Sequence, residues 1–167
     1  MRDAVLFDLD GTLTDPGEGI TNSVAYALES FGIAVEDKTS LYPFIGPPLA
    51  ESFAQFYGFG PEQVQQAVAQ YREYFSRKGM YENVPYPGIH QALEELKQAG
   101  VRLSIATSKP LEFALPILRR FDLAHYFEHI GAADLAGRRS QKGQVIAYVL
   151  DQAGISDKSR AIMAGDR

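Results

Sequence analysis

Apolar residues change their spacing several times along this chain, and each change marks an element. Ala4–Phe7 is a continuous apolar run closed by Asp8, Asp10 and Gly11, the pattern of a short central parallel strand covered on both faces. From Ile20 the spacing becomes helical, with Val24, Ala27, Leu28 and Phe31 on one face before Gly32 stops the run. Pro43, Gly46, Pro47 and Pro48 predict a stiff loop around Phe44 and Ile45. A second short helix then carries Leu49, Phe53 and Phe56. A third begins at Pro61, presents Val64, Val68, Tyr71 and Phe75, and ends at Gly79.

The second half alternates between sheet and helix. Pro87 and Gly88 open a helix bearing Ile89, Leu93 and Leu96, with Gly100 as its stop. Val101–Ala106 reads as a strand leading into Thr107, Ser108, Lys109 and Pro110, where Pro110 starts a helix carrying Ala114, Ile117, Leu118 and Phe121. Phe127–Ile130 reads as the next strand, with Gly131 after it. The run R-R-S-Q-K-G, 138–143, opens a helix with Val145, Ile146, Val149 and Leu150 on its apolar face, and a last short strand begins at Ala161. Three successive helices with no strand between them are too long for an ordinary connection. The pattern predicts an α/β protein with a Rossmann-like parallel sheet and an inserted all-helical cap. Its core spans 1–14 and 84–167, and its cap spans 15–83.

Composition narrows the function. The chain has 167 residues, 46% hydrophobic and 22% charged, which fits one globular core and a small insertion. A formal charge of -5 argues against nucleic acid or an anionic membrane as partner, since both demand clustered cations. With no cysteine there is no disulfide, thiolate nucleophile or Cys-ligated zinc. His90, His125 and His129 share no metal-binding spacing. The Tyr pairs Tyr71 with Tyr74 and Tyr81 with Tyr86 read as packing or hinge residues, because no basic stripe accompanies them. No apolar span is long enough for a bilayer and no basic leader opens the chain, so a cytoplasmic protein working on a small molecule is expected.

The candidate chemistry starts where the first strand stops. In an open α/β sheet the binding crevice lies beyond the carboxyl ends of the strands. Residues two apart on an extended backbone point the same way, so Asp8 and Asp10 address one site while Leu9 turns into the core. Two carboxylates this close repel unless a cation or proton lies between them. Oxygen ligands with open positions suit Mg²⁺ bound together with a phosphorylated substrate. The plainer alternative is a strand followed by an Asp-Gly turn. Exposed amides and a hydroxyl at Thr107–Lys109 offer an anion site at a helix start. A lone Thr107 would read as a plain N-cap, but its place after a second apolar strand reverses that preference, while a solvated charge at Lys109 reads equally well.

V-L-F-D-L-D-G-T, Val5–Thr12, resembles the opening motif of the haloacid dehalogenase superfamily. That resemblance implies that Asp8 attacks phosphorus to form an aspartyl phosphate and that Asp10 serves as general acid and base. It places Thr107 as the hydroxyl on a phosphoryl oxygen and Lys142 as the cation near nucleophile and phosphate, with Arg138 and Arg139 as competitors. Asp166 would complete a Mg²⁺ site with Asp8 and Asp10, and Gly11, Thr12, Ser108 and Lys109 would line the phosphate site. D-P-G-E-G-I-T-N-S and I-G-P-P-L are similar to the phosphoglycolate phosphatase and 5′-nucleotidase-like branch, whose cap would select substrate through Phe44, Ile45, Pro47 and Arg72. The expected activity is a Mg²⁺-dependent phosphomonoester hydrolase acting on a small phosphorylated metabolite. Asp10 argues against dehalogenation, whose enzymes lack the second acid. A phosphomutase is one alternative. The other is a truncated, non-catalytic domain, because a further acid, strand and helix expected after Asp166 are absent and the C-terminal end of the core is expected to be missing.

Overall fold

The computed structural model of the chain describes residues 3–135, 139 and 141–165. They fall into two compact units, one of Met1–Thr14 with Pro85–Arg167 and the other of Asp15–Val84. The first unit is built on strands β1 (Ala4–Phe7), β4 (Arg102–Pro110), β5 (His129–Ala133) and β6 (Ala161–Ala164) with helices α4 (Ile89–Gln98), α5 (Leu111–Arg120) and α6 (Lys142–Gln152). The second holds α1 (Gly17–Glu29), α2 (Leu49–Tyr57) and α3 (Pro61–Arg77). Short strands β2 (Thr14–Asp15) and β3 (Val84–Pro85) form a two-stranded ribbon where the chain passes from one unit to the other.

The main sheet runs in the order β5-β4-β1-β6, and every pairing is parallel. This is the α/β core that the alternating pattern predicts. β1 is central because its side chains are covered on both faces. Leu6 is matched to Ser104 and lies in one apolar cluster with Ala106, Val145, Val149 and Leu150, so α6 packs on this face. Phe7 and Ile105 are matched one step along and therefore face the other way. Phe7 meets Phe127 edge to face with ring centroids 6.1 Å apart. Each fully buried aliphatic side chain of this kind contributes about 1.5–3 kcal/mol.

Two strand boundaries differ from expectation. β5 is not Phe127–Ile130 but His129–Ala133, so Gly131 lies inside the strand. A Cβ on Gly131 would stand 2.1 Å from Val149 Cγ2. Gly131 therefore permits close approach of strand and helix rather than ending the strand. β4 runs past Ala106 to Pro110, and Pro110 precedes α5 instead of opening it. Thr107 pairs with Ala132 and Pro110 with Ala133, so Ser108 and Lys109 are extra residues in a bulge.

In the helical unit, α1 begins at Gly17, before Ile20, and ends before Phe31. The expected loop around Phe44 is a 3-10 helix, Lys38–Phe44, capped by Asp37, whose carboxylate accepts the Thr39 amide at 2.9 Å. That turn directs Phe44 inward against Phe53, centroid to centroid 5.0 Å, while Phe53 stacks on Phe59 at 6.0 Å. Phe44 is 3% exposed, which makes it a core residue of this unit and not a substrate-lining one. α3 ends at Arg77, and Gly79 starts a separate 3-10 turn, Gly79–Tyr81, that passes tightly beside α1. Among the described residues no helix is long and apolar enough to cross a membrane.

Candidate active site

β1 ends by handing its last hydrogen bond to an acid. The Asp8 amide donates to the Ala164 carbonyl at 2.9 Å, which carries the β1–β6 ladder one residue beyond the strand. The Leu9 amide donates to Asp8 Oδ1 at 2.8 Å, holding that carboxylate at the strand's carboxyl end. Leu9 itself is fully buried. Its carbonyl accepts the amides of Thr12, Leu13 and Thr14 at 3.3, 2.9 and 3.2 Å, so the loop wraps around a single oxygen. Gly11 turns this corner with φ +76°, a left-handed value that side chains disfavour, and donates its amide to the Thr14 carbonyl at 2.9 Å.

Each acid meets a lysine from a different element. Lys142 Nζ ion-pairs Asp8 Oδ2, although without the alignment of a hydrogen bond. Lys142 is the first residue of α6, whose start is fixed by a capping box in which the Gln141 amide donates to Gln144 Oε1 at 3.2 Å. A cation at the positive end of a helix costs about 0.3–1 kcal/mol, so local propensity alone does not favour it. The carboxylate of Asp8 reverses that sign. Lys109 Nζ lies 3.0 Å from Asp10 Oδ2, with the two side chains 6% and 13% exposed. A lysine so deeply buried requires a charged partner, which rules out the solvated role the sequence allowed.

Asp10 combines burial with crowding by charge. Burial, the strongest influence, raises its carboxyl above the ordinary value of 3.8, and neighbouring Asp8 adds to the rise. The charge and hydrogen bond of Lys109, together with Lys142, oppose it without cancelling it. Asp10 Oδ1 is buried and has no hydrogen-bond partner among the described residues, and the same holds for Thr12 Oγ1.

Thr107 is 1% exposed on β4, and its Oγ1 accepts the Lys109 amide at 3.2 Å. Ser108 beside it is half-buried. The chain thus brings Asp8, Asp10, Lys109 and Lys142 together within one unit, with Thr107 bonded to the Lys109 backbone. Arg139 is engaged elsewhere: its guanidinium lies 4.2 Å from the Tyr148 ring centre and its Nε reaches the Ala132 carbonyl at 3.4 Å. Arg138 and Asp166 lie outside the described residues. Among the described residues no cluster of three or more acids, histidines or cysteines forms a ready metal site. The burial of Lys109 is the feature sequence reasoning left open, since the bulge that carries it has no periodic signal.

Residues 5–167 match the family described as haloacid dehalogenase-like hydrolase. The chain is 46% identical to a 5′-nucleotidase of Pseudomonas aeruginosa, covering 100% of itself and 78% of that protein. It is 39% identical to the tyrosine-protein kinase PtkA of Mycobacterium tuberculosis, across 98% of the chain but only 55% of the kinase. Over its whole length it superposes on a crystal structure from Clostridium acetobutylicum described as a predicted phosphatase. The TM-score there is 0.95 and the identity 49%, with 77% of that protein covered. An intact D-x-D-G-T at the end of a central parallel strand and matches of this extent agree: the chain belongs to the haloacid dehalogenase-like hydrolase family.

Proposed function

We propose that this chain is a phosphomonoester hydrolase that moves a phosphoryl group from a small phosphorylated metabolite to Asp8 and then to water. The observation that carries the reading is the pair of acids two residues apart, each held by its own lysine. Asp8 is the nucleophile; its carboxylate sits at the strand end, fixed by the Leu9 amide. Asp10 is the acid and base, and the burial that raises its carboxyl favours the protonated form needed to meet a leaving oxygen. A carboxylate nucleophile divides hydrolysis into two easier displacements, and one neighbouring acid serves both in turn. Thr107 and Lys142 hold the phosphoryl oxygens, with Gly11, Thr12 and Ser108 lining the same place.

The Asp8 carboxylate and a phosphate monoester dianion carry like charge, and a divalent cation between them relieves the repulsion. The donor set suits Mg²⁺, because it consists of oxygen ligands on two acids two residues apart at one strand end. Asp8 and Asp10 would hold the ion, with Asp166 as a third acid. When bound there, Mg²⁺ neutralises phosphoryl charge and polarises the phosphorus–oxygen bonds.

We read residues 15–83 as the cap of this enzyme, a lid that excludes water and chooses the leaving group, and 1–14 with 84–167 as its catalytic core. The name of the Pseudomonas relative supports a nucleotide-like substrate, and the motif resemblance supports a phosphoglycolate-like one. A cytoplasmic site of action fits a cysteine-free chain, which needs no oxidising compartment. The test is hydrolysis of p-nitrophenyl phosphate with Mg²⁺, followed by a panel of nucleoside 5′-monophosphates and 2-phosphoglycolate. No turnover, or Asp8→Asn turning over as fast as the parent, defeats the reading and leaves a non-catalytic domain. Phosphate release that requires a bisphosphate activator points instead to a phosphomutase.

A further inference from the structure

The two lysines of the site are built in differently. Lys142 opens a helix, whereas Lys109 stands in the bulge created by two extra residues between Thr107 and Pro110 of β4. Bulges beside active sites serve to re-aim a side chain. Here the re-aimed backbone is pinned, because Thr107 Oγ1 accepts the Lys109 amide at 3.2 Å. The Lys109 ammonium then reaches one particular oxygen, Asp10 Oδ2, at 3.0 Å, and is almost completely buried. The other oxygen, Oδ1, is buried and has no hydrogen-bond partner among the described residues.

We infer that Lys109 is a positioning residue that acts through Asp10, rather than one of the groups that grip phosphate. It anchors Oδ2, fixes the carboxyl plane and leaves Oδ1 as the oxygen that carries the proton. The inference rests on the phosphatase reading above. In the first displacement, an Asp8 oxygen forms a bond to phosphorus while the bond from phosphorus to the ester oxygen breaks. The proton on Asp10 Oδ1 passes to that leaving oxygen, and the resulting Asp10 carboxylate is held by the Lys109 ammonium. In the second, water attacks the phosphorus of the aspartyl phosphate, Oδ1 takes a proton from it, and Asp8 departs as carboxylate. Both acids return to their starting forms. The same bond from Lys109 to the Thr107 oxygen uses an acceptor lone pair, which leaves the Thr107 hydroxyl free to act as donor.

The experiment is a double-mutant cycle on Lys109→Met, Asp10→Asn and the combined variant, with kcat/KM measured for an alkyl phosphate and for p-nitrophenyl phosphate. A general acid contributes on the order of 10²–10⁴-fold. A positioning lysine should therefore account for about 10–10²-fold on the alkyl ester, whose leaving oxygen needs the proton, and for less than about threefold on the aryl ester. In the Asp10→Asn background Lys109→Met should cost almost nothing further in kcat/KM, since the general acid it positions is gone. The inhibition constant of orthovanadate, which reports grip on a phosphoryl-like group, should stay within about threefold of the parent, and Lys109→Arg should recover part of the loss. Melting curves and Lys109→Gln accompany the series, because methionine leaves a buried Asp10 without its cation.

Equal costs of Lys109→Met with and without Asp10, or vanadate inhibition weakening in step with kcat/KM, overturn the inference while leaving the phosphatase reading intact. A parent protein that hydrolyses neither ester defeats the phosphatase reading and this inference with it.

Discussion

Replacing Gly131 with alanine should loosen the fold and the site together. An added Cβ would lie 2.1 Å from Val149 Cγ2, 3.3 Å from the Ile105 carbonyl oxygen and 3.5 Å from Val145 Cγ1. The first of these is impossible and the others are ordinary or slightly tight. Val149 is fully buried and β-branched, so rotation about χ1 inside α6 gives little relief. The strand and helix must therefore separate by roughly 1 Å or more, and overpacking of this kind costs about 1–3 kcal/mol. Val149→Ala alone removes two buried methyl groups and should cost about 1.6 kcal/mol at 0.8 per group, with a cavity cost in addition. In the double variant the new methyl occupies the space the old ones left. Urea unfolding of all four proteins should show the pair less destabilised than the sum of its parts by at least about 1 kcal/mol. Because Lys142 lies two turns along α6, roughly 10 Å from Val149, a displaced helix also draws the ammonium from Asp8. Turnover of Gly131→Ala should fall and partly recover in the double variant. Additive unfolding energies, or a Gly131→Ala protein as stable as the parent, would refute the packing account.

Gly19→Ala is expected to be worse, at least about 3 kcal/mol. Its Cβ would stand 1.9 Å from the Gly79 carbonyl oxygen and 2.8 Å from that of Glu82, which are backbone atoms that cannot swing aside; a thermal melt matching the parent would contradict this. The raised carboxyl of Asp10 sets the sign of two pH effects. The folded chain binds that proton more tightly than the unfolded one, so this group's share of stability is complete below the unfolded value near 3.8 and is lost as pH rises through the folded value. As general acid, Asp10 should make kcat/KM fall over the same rise, a limb that Asp10→Asn abolishes; an unchanged profile in that variant would show that another group titrates. Lys142→Met, which leaves Asp8 without its cation, should lower kcat by about 10²–10³-fold, measured as phosphate release. Chelation with EDTA should stop turnover and added Mg²⁺ should restore it, and activity persisting in EDTA would remove the metal from the scheme.

The core was readable because its strands announce themselves by unbroken apolar runs and its helices by regular spacing. Ala4–Phe7, Leu93, Val145 and Val149 all lie where pattern alone puts them. Pattern failed where the buried residue is small or charged. Gly131, Ala132 and Ala133 form most of β5, yet they look like a break after the bulkier F-E-H-I, because nothing in a single sequence shows that a helix must come close there. The three prolines around Phe44 read as a loop, whereas a 3-10 turn accommodates Pro43 and buries the ring. Lys109 is the more instructive case. A lysine before a proline at a helix start reads equally well as a phosphate ligand or a solvated charge, and no periodicity can anticipate a bulge that breaks the period. The only sequence sign is its neighbour Thr107, two residues earlier, with the spacing that lets a threonine hydroxyl accept an amide. A local hydrogen bond of that sort is available to any T-x-K. It becomes informative here because the strand beside it ends in two acids, and the second of them, once buried, requires a cation that no nearer residue in its own loop supplies.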